Sequence, residues 1–204
     1  MRALHGSLAQ LGFKAVSGPD SPRLSSLPKS SAQLLELYAE LGGVQAAPVL
    51  RPGGWDLAYD GLIVELDEQL HFNRYRAVTL QAPLLEAPWD ASYRRFSITG
   101  ESRCRLDSTK LAGKWSTPGS KAQFGDPSPP GVLEGPGAPR WKQRAIYDAM
   151  KDAAAAEGIV VLARISIYDG LGDATVDQVL EPGHPATIDL DALSALISDR
   201  TFCG

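Results

Sequence analysis

Cysteine is nearly absent from this chain. Cys104 and Cys203 are the only two in 204 residues, too few for a disulfide scaffold or a cysteine-rich zinc site. Long apolar runs are missing too, and none approaches the roughly 18 residues of a membrane span. The opening segment MRALHGSLAQLGFKAV has neither the continuous apolar core nor the cleavage pattern of a secretory signal. The expectation is a cytoplasmic protein with no membrane association. A surplus of positive charge is also lacking, since the formal net charge is −4. That excludes coating of nucleic acid by a uniformly basic surface, but not a local basic cleft. No internal repeat is visible.

What remains suffices for a core. Apolar residues make up 44% of the chain, and the length suits one domain of 1–204, with or without a large insertion. SSAQLLELYAELGG, residues 30–43, reads as a helix. Ser30 or Ser31 can cap it, Leu34, Leu35, Leu37, Tyr38 and Leu41 make its apolar face, and Gly42-Gly43 ends it. PVLRPGG is a turn segment. WDLAY and LIVEL then read as two strands joined at Asp60-Gly61, a favoured hairpin dipeptide. HFNRYRAVTLQ continues as a helix.

Residues 82–139 differ in composition. Proline and glycine dominate STPGSKAQFGDPSPPGVLEGPGAP, which is expected to hold no long regular elements. Trp89, Tyr93, Phe96 and Trp115 predict that the first half of this insertion packs. It is either an ordinary surface insertion or a functional one, the latter offering a protein partner a surface. RWKQRAIYDAMKDAAAAEG predicts a helix stopped at Gly158, IVVLARISIYDG a strand inside a sheet, and TIDLDALSALISD a closing helix. The order of elements predicts an α/β fold, a mixed sheet with helices on its faces. Its core covers about 30–80 and 140–200.

The chemistry concentrates in WDLAYDGLIVELDEQLHFNRYR, residues 55–76. Strand alternation puts Glu65 and Asp67 on one face. A hairpin closing at Asp60-Gly61 brings Asp56 beside Glu65. At an effective dielectric of ~20, two like charges 4 Å apart cost about 4 kcal/mol. A proton, a basic side chain or a divalent cation must compensate. Hard oxygen ligands without cysteine point to Mg²⁺ or Mn²⁺. The plainer alternative is a strand end running out into solvent at Glu65, Asp67 and Glu68, with Asp60 a turn residue and His71 a packing residue.

The stretch DLAYDGLIVELDEQLHF resembles the core motif of the PD-(D/E)XK nuclease superfamily, and most closely its very-short-patch-repair endonuclease-like branch. Glu65-Leu66-Asp67-Glu68 followed by His71-Phe72 fits that branch's Glu-hydrophobic-Asp-Gly and histidine pattern, with Glu68 in place of the glycine. RAIYDAMKDAAAAEGIVVLARI matches its second half through Arg144, Asp148, Lys151, Gly158 and Arg164, with Ala163 as an extra residue before the arginine. The resemblance covers about residues 30–80 and 140–170. It implies a restriction-endonuclease-like core and metal-dependent hydrolysis of nucleic acid, DNA in the first instance, in defence or repair. Asp56, Glu65 and Asp67 would hold Mg²⁺ or Mn²⁺, and His71 would shuttle a proton. Arg74, Arg76, Arg144 and Lys151 would contact the substrate. The lysine of the Glu-x-Lys motif is absent, because Asp67 occupies its place. His71 and Lys151 are the candidates to supply its charge. Two other readings stay open: an inactive nuclease fold that binds nucleic acid, and a protein-interaction subunit.

Overall fold

The computed structural model describes residues 1–81, 86–110, 113–181 and 188–204. The described residues form an α/β architecture with a mixed sheet between helices. Four strands lie in the order β1-β2-β3-β6: β1 (Leu57–Tyr59), β2 (Leu62–Asp67), β3 (Leu162–Ser166) and β6 (Thr201–Phe202). β1 and β2 form the expected hairpin, with Leu57 opposite Val64 and Tyr59 opposite Leu62. Gly61 takes φ 77°, a left-handed conformation that costs glycine little and a side-chain-bearing residue more.

β2 and β3 run parallel, with Glu65 beside Arg164 and Asp67 beside Ser166. Parallel neighbours need a crossover. Here it contains α3 (Arg74–Thr79), α4 (Asp90–Thr99), α5 (Glu101–Lys110), α6 (Pro118–Phe124) and α7 (Pro139–Ala156). α7 takes up the helix expected from residue 140. Ala145, Ala149 and Ala153 are buried on it beside Ile146 and Met150. Their small side chains face the core that α7 shares with α2 and β2.

Alternation divides the strands between two cores. Ile63 and Leu162 point toward α7 and α2 (Ser31–Glu40), into a cluster with Leu34, Phe72 and Tyr93. Val64, Leu66, Ala163 and Ile165 point the other way, onto α1 (Arg2–Gln10) and α9 (Leu190–Arg200) through Leu4, Leu8, Leu193 and Ile197. Glu65 and Asp67 share the α7 face, so two carboxylates of β2 look toward a helix rather than toward water.

The insertion is more regular than its composition suggests. Its first half holds two ten-residue helices, α4 and α5. In the glycine- and proline-rich part, Thr117 accepts from Ser120 N and Pro118 opens α6, seven residues that carry Phe124 into the core. Trp115 and Trp141 meet at 5.2 Å between ring centroids. Residues 82–85 and 111–112 of this stretch lie outside the described residues. The helix expected from residue 71 to 81 is shorter than that, because Asn73 caps α3 by accepting from Tyr75 N and Arg76 N. The closing helix expected over 187–199 runs Leu190–Arg200, and residue 187 lies outside the described residues. A short hairpin of β4 (Gly170–Leu171) and β5 (Ala174–Thr175), the small helix α8 (Val176–Leu180), α1 and β6 had no clear sequence signal. No helix among the described residues is long and apolar enough to cross a membrane.

Candidate active site

The mouth of the β1–β2 hairpin and the outer face of α7 enclose a cleft of about 240 Å³. Gly53, Asp56 and Glu65 line one wall. Arg140, Arg144, Tyr147, Asp148 and Lys151 line the other, and His71 also contributes. Offsets of four, eight and eleven residues from Arg140 bring the four charged residues of α7 to the same side.

Asp56 and Glu65 are locked together by the hairpin backbone. Asp56 N donates to Glu65 Oε1 at 3.0 Å, and Leu66 N donates to Asp56 Oδ2 at 3.0 Å. Lys151 Nζ donates to Glu65 Oε2 at 2.7 Å and to Gly54 O at 2.9 Å, and lies 5.2 Å from the centre of the Trp55 ring. A positive charge from α7 thus sits on the glutamate whose own motif lacks the lysine. Burial nevertheless pushes the Glu65 carboxyl up to about 7, against the pull of Arg164 and Lys151. Asp56 keeps part of its surface in solvent, yet partial desolvation also raises its carboxyl, opposed by the Leu66 N–H. In both groups burial outweighs the charges and hydrogen bonds that oppose it.

Behind the cleft lies a buried ionic network. Arg164, fully buried on β3, donates from Nη1 to Asp67 Oδ1 and Oδ2 at 3.0 and 2.7 Å, from Nε to Asp152 Oδ1 at 2.5 Å, and from Nη2 to Asp148 O at 3.2 Å. Arg76 Nη2 donates to Asp152 Oδ2 at 2.7 Å. Tyr93, from the insertion, donates its hydroxyl to Asp67 Oδ2 at 2.9 Å. His71 Nδ1 lies 2.8 Å from Asp148 Oδ2 and 3.1 Å from Asp67 Oδ1. Two carboxylates can bracket one ring nitrogen favourably only if that nitrogen carries the proton.

Asp67, His71 and Asp148 offer ligand atoms within 4.8 Å of one another, the one such group among the described residues. Arg164 and Tyr93 already occupy the Asp67 oxygens. A cation there would meet the Arg164 guanidinium.

Two carboxyls of this network, Asp67 and Asp148, titrate low. Burial alone would raise Asp67 and Asp148. For Asp67 the opposing charges, Arg164 and then His71, outweigh it. For Asp148, His71 and then Arg164 do so. A group depressed in the folded state contributes stability above its unfolded value of about 3.9 and loses it as pH falls through the folded value. Unfolding free energy is therefore expected to drop as pH is lowered from about 4 toward 2. Asp148→Asn should flatten that drop while lowering stability at neutral pH. Urea titrations at a series of acidic pH values check it, and an equally steep variant would contradict the assignment.

The residues singled out in the sequence separate into three groups. Asp56, Glu65, His71, Arg144 and Lys151 meet at the cleft. Asp67 shares the face of Glu65, but both its oxygens are engaged behind the cleft, so its expected place as a metal ligand is replaced by a place in the network. Arg74 and Arg76 lie elsewhere. Arg76 is 1% exposed and paired with Asp152, so it cannot reach a phosphate. Arg74 makes a two-pronged pair with Glu101 at 2.8 and 2.7 Å. Two residues apart on one short helix point to opposite sides, which explains why one arginine is buried and the other exposed. Arg144 and Asp148, one helical turn apart, do not pair with each other. Asp148 turns to His71, and Arg144 Nη1 donates to Leu70 O at 3.1 Å.

Arg140, Tyr147 and Asp152 are the residues that sequence reasoning missed as members of this region. Arg140 donates to Gln143, which donates to Gln123 Oε1 at 2.8 Å; Gln123 in turn donates to Tyr147 Oη at 3.0 Å. The insertion helix α6 therefore props the cleft wall. Helical spacing from Arg144 back to Arg140 was the available signal.

Fold and site together define an α/β protein with a small mixed sheet, in which a charged cleft opens between a hairpin and the helix that crosses over it. The chain belongs to a family of unknown function, DUF7255, whose pattern matches residues 36–182. That span holds both walls of the cleft and the whole ionic network, and leaves out α1, α9 and β6. No curated protein and no solved structure matches the chain.

Proposed function

We propose that this chain is a metal-dependent nuclease of the PD-(D/E)XK type, hydrolysing phosphodiester bonds of nucleic acid, DNA in the first instance. The observation that carries the reading is the juxtaposition of Asp56 and Glu65 across the hairpin, with Lys151 2.7 Å from Glu65.

The donor set fits a hard divalent cation at Asp56 and Glu65. Both are carboxylates, both line the cleft, and burial raises both. Asp67 does not fit as a third ligand, since each of its oxygens already faces two donors. When bound, Mg²⁺ or Mn²⁺ would polarise a phosphoryl oxygen and offset charge that develops in the transition state.

The chain's own residues do the rest. Lys151 holds Glu65 in place and adds a positive charge beside the reacting phosphate. Arg140 and Arg144 have no carboxylate partner within ion-pair distance among the described residues, and Arg144 lowers its neighbour's affinity for protons after the larger effect of burial. An anionic phosphodiester relieves that repulsion. His71 keeps its Nδ1 proton between Asp67 and Asp148, so Nε2 is the atom that exchanges a proton with water or with the leaving oxygen. Arg164 orients Asp67, and Asp67 orients His71. The insertion serves the site through Tyr93 and Gln123.

A second reading is an inactive nucleic-acid-binding fold. The direct Lys151–Glu65 ion pair favours it, because it already neutralises the proposed metal ligand. Incubation with single- and double-stranded DNA and RNA, in Mg²⁺, Mn²⁺ or EDTA, separates the two. The nuclease reading expects cleavage with metal, none in EDTA and none from Glu65→Gln. Cleavage that survives Glu65→Gln would remove the site assignment, and binding without cleavage in every metal would leave the second reading.

A further inference from the structure

Residues 48–54 have two sides. One side meets the cleft through Gly53, next to Gly54, whose carbonyl accepts from Lys151. The other forms a wall of a second concavity of about 520 Å³, whose polar lining includes Arg23, Ser25 and Arg51, and whose apolar lining includes Leu24 and Val49. The linings of the two spaces are neighbours in sequence, ending at Arg51 on one side and beginning at Gly53 on the other. Ser21 Oγ donates to Gly53 O at 2.9 Å, which ties the segment bearing Arg23 to the point where the cleft begins. Arg51 is two residues from Gly53, a span of at most about 7 Å. A Cβ added at Gly53 or Gly54 would meet no atom within 4 Å, so the backbone at these two glycines is uncrowded.

Arg23 and Arg51 are both exposed, and neither forms an ion pair with another described residue. From these observations we infer that the groove is a second nucleic-acid subsite. It carries the strand away from the cleft, with Arg23 and Arg51 on phosphates flanking the one in the cleft. The inference rests on the nuclease reading of the cleft and deepens it, by giving the substrate a path several nucleotides long. Guanidinium forks suit phosphate oxygens, while Leu24 and Val49 offer apolar surface to sugar and base. Contacts of this kind fix register without reading sequence.

The test is the salt dependence of binding. A fluorescein-labelled 12-nucleotide single-stranded DNA is titrated in Ca²⁺ with wild type, Arg23→Ala/Arg51→Ala, Arg23→Lys/Arg51→Lys and Arg105→Ala. Arg105 is an exposed arginine on α5, in neither space. Each lost phosphate contact on a single strand lowers the slope of log K against log salt by about 0.7. The double alanine variant should lose about 1.4 in slope by the same relation. The double lysine variant and Arg105→Ala should keep the wild-type slope. Wild-type binding with an unchanged slope in the double alanine variant overturns the subsite alone, as does an equal loss in Arg105→Ala. No binding by wild type overturns the nuclease reading and the subsite with it.

Discussion

Replacing Arg164 by Met is expected to destabilise the protein by about 3–5 kcal/mol, the cost of removing one partner from a buried ion pair. Arg164 is 0% exposed and contacts Asp67, Asp148 and Asp152. Without it, three carboxylates on two elements would keep only Arg76, His71 and the Tyr93 hydroxyl. Their mutual repulsion is large in a site that water cannot screen. A loss of this size is a substantial part of the 5–15 kcal/mol that holds a typical domain together.

Arg164→Lys should rescue little. An ammonium is a single point charge, whereas the guanidinium spreads its donors over three acidic residues in a fixed fork. The midpoint of urea unfolding measures both variants. If Arg164→Met unfolds within about 1 kcal/mol of wild type, Arg164 is not the keystone of the network, and the site lacks the support argued here.

The second large effect is on activity. His71→Ala should lower kcat by about 10²–10⁴-fold, the usual contribution of a positioned general acid or base, while leaving the fold intact. His71 sits at the edge of the cleft with part of its surface in solvent. Its loss opens space for water beside Asp67 and Asp148 rather than a sealed void. Asp148→Asn should retain more activity than His71→Ala, because Asp67 still accepts the Nδ1 proton. The pH–rate profile distinguishes the two. His71→Ala should lack a limb due to an imidazole, and Asp148→Asn should retain one. A variant lacking His71 with wild-type kcat would exclude the ring from proton transfer.

The insertion has a consequence for how such a site is kept in shape. Its helices make two contacts that matter for the cleft: Tyr93 on Asp67 and Gln123 on Tyr147. A stretch rich in glycine and proline would be expected to hang off the surface. Here, aromatic residues in its first half and a well-capped short helix in its second bring it back against α7.

The hairpin was legible in the sequence because it is local. Asp60-Gly61 sets the turn, and alternation of period two puts Glu65 and Asp67 on one face whatever the rest of the chain does. The same locality made α2, α7 and β3 readable, and placed Arg144, Asp148 and Lys151 on one side of their helix. Which partner each charge takes was not legible. Lys151 and Glu65 are 86 residues apart, and Arg164 and Asp67 are 97 apart. No local pattern encodes that Asp148 will choose His71 over Arg144, or that Arg76 will be buried while Arg140 reaches the cleft. The parallel crossover from β2 to β3 decides this. It lays α7 over the carboxylates of β2, and burial there pairs Glu65 with Lys151, Asp67 with Arg164, and Asp152 with Arg76 and Arg164.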